Sequence, residues 1–176
     1  MNQKGQGLLE ALVALSAAVI IIAGMTIAAI TAVSNSDFAK YQSLATDYAQ
    51  QGMEIVKQQS QLDWYDTATY SGTLCLPQGA TALPPVRVYA CSDINVGNMF
   101  IRQVDIQNIP PSPSCNNSTS PCCIFGANVD CTKNPQSCSS QVTVTVKWTD
   151  GKCSSSSDFC HKVAISSCLQ DIYRTQ

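Results

Sequence analysis

The sequence predicts an α+β protein: one long N-terminal helix, with a membrane-spanning half and an amphipathic half, packed on a small antiparallel β-sheet head with disulfide-rich loops. Three observations predict it. An uncharged apolar run near the N-terminus passes without a breaker into a helical pattern of apolar residues. Short stretches of period-two alternation follow after Asp66. Ten cysteines lie between Cys75 and Cys168 and none lies before them. A chain of 176 residues suits one domain plus one added element.

The helix starts in the apolar run Leu8–Val33. From Ala11 to Val33 there is no charge, and this exceeds the roughly 20 residues that cross a bilayer as a helix. Lys4 on the short leading flank places the N-terminus in the cytoplasm and everything after Val33 outside. A cleaved secretory signal has a shorter apolar stretch, about 7 to 15 residues. A plain signal anchor fits the length and the orientation. Neither has a use for Glu10, an acid at the head of the apolar segment. A carboxylate there costs up to a few kcal/mol, on the order of what a partner must return.

Lys4-Gly5-Gln6-Gly7-Leu8-Leu9-Glu10, followed by Ala11-Leu12-Val13-Ala14-Leu15, resembles the processing motif of type IV prepilins and type II secretion pseudopilins. The resemblance implies a short leader, residues 1–5, that a membrane-embedded prepilin peptidase removes by cutting between Gly5 and Gln6. That cut puts Glu10 fifth in the processed chain, the family's glutamate position, whereas a cut after Gly7 would put it third. It also implies N-methylation of the new N-terminus at Gln6, and an assembly charge pair between Glu10 and the Gln6 amine of a neighbouring or the same subunit. The family's usual first residue is aromatic or methionine and its second is often threonine; Gln6 and Gly7 depart from this, and an N-terminal glutamine can cyclise and lose its amine charge. The implied partners are other pilin or pseudopilin subunits in a helical filament, the prepilin peptidase, an inner-membrane assembly platform and, before assembly, membrane lipid. The implied location is the bacterial cytoplasmic membrane as a single-pass precursor with its head outside, and then a cell-surface filament.

Ser34-Asn35-Ser36-Asp37 is polar but holds neither Pro nor Gly, so the helix continues. Phe38, Tyr41, Leu44, Ala45, Tyr48, Ala49, Met53 and Val56 recur three and four apart, the spacing of one helical face that packs on the chain's own sheet. The expected helix covers residues 6–60, with 6–33 in the membrane or filament core and a head over 61–176.

Within the head, four strands are expected at Val86–Cys91, Met99–Ile109, Gln141–Trp148 and Lys162–Ser166, of which Gln141–Trp148 alternates most cleanly. With no helical pattern between them, an antiparallel sheet follows. The stretch 110–140 is rich in Pro, Ser, Asn and Cys, as expected of a surface loop held by crosslinks.

The cysteines are Cys75, Cys91, Cys115, Cys122, Cys123, Cys131, Cys138, Cys153, Cys160 and Cys168. An even set in a segment placed outside reads as a disulfide framework whose pairing the sequence leaves open. Cys115–Cys122, Cys131–Cys138 and Cys153–Cys160 share a spacing of seven and are candidate local bridges; the adjacent Cys122 and Cys123 are expected to bond to different partners.

Other chemistry has little footing. A net charge of −2, with 12% of residues charged, gives no basic surface for nucleic acid. The single histidine, His161, follows Cys160, which reads as a structural cysteine, and no C-x₂-C pair signals zinc. No hydrolase or nucleotide motif is present. The expectation is therefore a structural subunit with no catalytic residues, no metal and no cofactor. The alternative is a monomeric membrane-anchored binding or adhesion module that uses the crosslinked loop.

Overall fold

A computed structural model describes residues 6–84, 91, 93, 96–115, 121–150, 153 and 159–171. The chain is α+β. Helix α1 runs Gln6–Leu62 and a short helix, α2, runs Trp64–Thr69. Four strands follow: β1 Gly72–Cys75, β2 Phe100–Ile109, β3 Ser139–Trp148 and β4 His161–Leu169. They form one antiparallel sheet in the order β1-β2-β3-β4. Two compact units divide the chain, residues 1–41 and 42–176.

The second unit holds the core. Its helical part, residues 42–62 of α1, buries Ala45, Ala49, Gly52, Met53 and Val56: four residues of the expected stripe and one glycine, while Leu44 and Tyr48 of that stripe are half-buried and Phe38 is exposed. Register in the sheet explains what this stripe meets. Phe100, Arg102, Val104 and Ile106 of β2 stand opposite Trp148, Val146, Val144 and Val142 of β3, so all eight share one face. All eight are buried. Gly52 lies against that face: a Cβ added to it would stand 3.0 Å from Val144 Cγ1 and 3.1 Å from Arg102 Cδ.

The other face is polar. Thr73 donates to Asp105 Oδ1 at 2.6 Å, Gln103 Nε2 donates to the same carboxylate, and the Thr143 and Ser166 hydroxyls lie 2.9 Å apart. Cross-strand pairs of this kind support a sheet with one wet side.

Arg102 is the exception on the inner face, a cation only 2% exposed. Its guanidinium donates from Nε to Leu76 O at 3.0 Å, from Nη1 to Tyr48 O at 3.2 Å and from Nη2 to Pro77 O at 2.7 Å. It therefore fastens α1 and the segment after β1 to β2. Burial lowers its pKa, partly offset by Tyr48, and the three carbonyls are what make the burial tolerable. Tyr48 also packs edge-on against Phe100, with ring centroids 5.3 Å apart.

The strand at Val86–Cys91 falls, apart from Cys91, outside the described residues. The short β1 enters the sheet in a place the sequence did not mark: four residues with Gly72 at the head are too few to show alternation. Likewise α2 is six residues, stopped from merging with α1 at Asp63, whose side chain accepts from Asp66 N at 3.0 Å as an N-cap. Trp64 of α2 is buried and donates its indole N–H to Pro135 O at 3.1 Å, tying this corner to the 3-10 turn Pro135–Ser137.

Gly52→Leu is expected to destabilise the head by about 1–3 kcal/mol or more through overpacking. Gly24, with nothing within 4 Å of an added Cβ, should accept leucine with no fall in the midpoint. Thermal unfolding of the full chain in detergent, followed by near-UV circular dichroism, separates the two.

Candidate functional site

The first functional element is the apolar half of α1. The large apolar side chains from Leu8 to Val33 are between 57% and 71% exposed. A single 18-residue window within α1 reaches a mean hydropathy of 2.5 and none of it is buried, so this helix is long and apolar enough to cross a membrane. Its polar side chains are turned inward on their own backbone. Ser16 Oγ donates to Val13 O at 2.8 Å, Thr26 Oγ1 to Ile22 O at 2.9 Å and Thr31 Oγ1 to Ile27 O at 2.9 Å. These hydroxyls therefore ask nothing of a solvent, which suits lipid or a helix bundle equally. The sequence alone did not show this.

Glu10 stands exposed in the second turn of α1, four residues after Gln6, where the helix begins. A spacing of four sets the two positions on one side of the helix, a turn apart. Gly5 lies outside the described residues. The geometry thus keeps Glu10 in an apolar setting and one turn from the residue at the expected cut.

The second element is the crosslinked head. The bridges are Cys75–Cys91, Cys115–Cys123, Cys122–Cys168, Cys131–Cys138 and Cys153–Cys160. Two of the three spacing-seven candidates form. The third does not: Cys115 bonds to Cys123 rather than Cys122, because Cys122 points into the protein, 3% exposed, and is taken by Cys168 of β4. Cys122 is buried and Cys123 half-buried, and it is Cys122 that reaches the sheet, through Cys168. As expected, they serve different partners. Ser139 Oγ donates to Cys122 O and, at the same end of the sheet, Asn108 Nδ2 donates to Ala68 O.

Within the 110–140 segment, Ser112 and Phe125 form a parallel bridge, with Ser112 N donating to Ile124 O at 2.8 Å. Asp130 organises the next turn: its Oδ1 accepts from Thr132 N at 3.0 Å and from Thr132 Oγ1 at 2.7 Å, which holds its carboxyl below the usual pKa. Phe125 is 73% exposed over a hollow lined by Pro111, Ile124 and Val129.

A third group assembles where β3 passes to β4. Trp148 and His161 are register partners, and their rings lie 5.4 Å apart. His161 Nε2 is 3.2 Å from Asp150 Oδ2. The Cys153–Cys160 bridge sits beside them, and its Cys153 sulfur accepts from Thr149 Oγ1 at 3.3 Å and from Cys160 N at 3.2 Å. The signal missed in the sequence was Asp150: its carboxylate joins the cluster only once the two strands pair.

Comparison of the chain with protein-family models, with curated proteins and with solved structures gave no match in any of the three.

Replacing Cys122 and Cys168 together by serine is expected to cost about 4 kcal/mol, against about 2.5 kcal/mol for Cys131 and Cys138, if loop-closure entropy dominates. The first bridge spans 46 residues and the second 7. Chemical denaturation of the two double variants, with the remaining bridges verified by mass spectrometry, measures the difference.

Proposed function

We propose that the chain is a structural subunit of a type IV pilus or pseudopilus, made as a membrane-anchored precursor, cut after Gly5 and polymerised through α1. The observation that carries this reading is the apolar surface of residues 8–33, exposed all round, with Glu10 as the one charge within it. Such a surface is stable only in lipid or against other apolar helices. A lone anchor satisfies the apolar residues in lipid but leaves Glu10 without a purpose. A bundle of copies satisfies both. The helices exclude water from one another, and a carboxylate inside the bundle is retained when a cation meets it.

The cut after Gly5 supplies that cation as the α-amine of Gln6. Lateral packing supplies most of the cohesion and the charge pair sets the axial register. The disulfide-bonded head is carried outside, where five crosslinks suit an oxidising medium.

The second reading, a monomeric anchored binding module, draws on the exposed Phe125 of the crosslinked loop. It needs no cleavage and no use for Glu10.

Under the filament reading, Glu10→Ala is expected to abolish recovery of the chain in sheared surface filaments while leaving its membrane level unchanged. Mass spectrometry of the N-terminal peptide from surface material should begin at Gln6, unmodified or methylated, with its amine intact. Recovery of Glu10→Ala at the native level, or a native chain that keeps Met1, transfers the assignment to the anchored module.

A further inference from the structure

We propose that the β3–β4 connection is a two-state site: oxidised, it is the Cys153–Cys160 disulfide, and reduced by a dithiol, it binds one thiophilic divalent cation such as zinc through Asp150, Cys153, Cys160 and His161. The proposal is independent of the filament reading, because it uses only residues of the head.

Geometry carries it. Asp150, Cys153, Cys160 and His161 each offer one ligand atom, and these atoms all lie within 4.8 Å of one another. Zinc bound by two thiolates, an imidazole and a carboxylate has ligand distances of about 2.0 to 2.3 Å, which puts its ligand atoms roughly 3.3 to 3.8 Å apart. Opening the disulfide frees the two sulfurs, and ligand atoms that stand within 4.8 Å of one another then draw in to that range around the ion. The two other ligands are fixed beforehand: His161 opens β4 opposite Trp148, and its Nε2 already faces Asp150 Oδ2 at 3.2 Å. Four ligands of these types make a closed site of the structural kind.

The same surroundings suit the bond to opening. Cys160 is exposed and Cys153 half-buried. Three of the four other bridges contain a buried cysteine: Cys91, Cys122 or Cys138. A dithiol reductant can reach the Cys160 sulfur directly. One of its thiolates attacks Cys160 Sγ, the sulfur–sulfur bond breaks, and the electron pair leaves on Cys153 Sγ. Thr149 Oγ1 and Cys160 N already donate to that sulfur, at 3.3 and 3.2 Å, and hydrogen bonds of this kind hold a thiolate better than a disulfide sulfur. The reductant's second thiol then attacks its own sulfur in the mixed disulfide. This frees Cys160 and closes the reductant as a cyclic disulfide. The two cysteine thiols formed release two protons when they take the cation. A site in that state would occupy the head before oxidation and hold the β3–β4 turn in shape.

The test uses the full chain in detergent, treated with one equivalent of a phosphine or dithiol reductant, with alkylation mapping to locate the free thiols. Cobalt(II) is the probe. Free thiols are expected first at Cys153 and Cys160. The reduced chain should bind one cobalt, with thiolate-to-metal charge-transfer absorption and the intense visible bands of a tetrahedral ion, and zinc should displace it. The oxidised chain should show neither. His161→Ala and Asp150→Ala retain every cysteine, so folding is preserved, and each is expected to weaken cobalt at least about tenfold. The Cys153→Ser/Cys160→Ser double variant should lose the charge-transfer band. Free thiols appearing first at another bridge, no cobalt bands from chain with Cys153 and Cys160 shown to be reduced, or affinity unmoved by both single variants would each overturn the proposal.

Discussion

The close approach of α1 to the sheet at Gly52 is the constraint on which the head depends. Even a Cβ at that position would press on Val144 and Arg102, and a helix held further off would take Tyr48 O away from Arg102. The guanidinium would lose one of the three carbonyls that make its burial tolerable. The small residues Ala45, Ala49 and Gly52 therefore matter for what they leave out. They let four turns of helix settle on a valine-rich face formed by Val142, Val144 and Val146, and the flat packing removes that face from water. Arg102 gives the contact a direction, since its donors lie in one plane and reach a helix and a loop together.

The same helix has an opposite character in its first half. Its large apolar side chains from Leu8 to Val33 are exposed. Its backbone needs no help there, because an α-helix satisfies its own N–H and C=O groups, and Ser16, Thr26 and Thr31 turn their hydroxyls to carbonyls one turn back. The segment is chemically ready for a dry environment. Glu10 is the residue that is not, and so it carries the functional argument.

In the head, crosslinks stand in for regular structure. The segment between β2 and β3 has few ladder hydrogen bonds, and its shape is set by Cys115–Cys123, Cys131–Cys138 and the long-range Cys122–Cys168. The last of these joins the loop to an edge strand and closes the largest ring. Cys153–Cys160 differs because a histidine and a carboxylate stand beside it, so its sulfurs have a second chemistry within reach when they are thiols.

Much of this was written in the chain order. An apolar run followed by a stripe three and four apart can only be one long helix of two characters, since both patterns are local and periodic. Gln141–Trp148 shows its strand for the same reason. Tertiary structure decided what depends on contacts distant in sequence. β1 is a strand because β2 pairs with it, Gly72 against Ile106 and Leu74 against Val104; four residues carry no period of their own. Cys122 takes Cys168, and so leaves Cys123 to Cys115, because burial rather than spacing chooses between the two neighbours. Gly52, which the periodic stripe passed over, is the contact itself, and Asp150 meets His161 only through the register of β3 with β4. Local patterns fix elements; partners across the fold fix sites, because side-chain distances between remote residues exist only once the backbone has closed on itself.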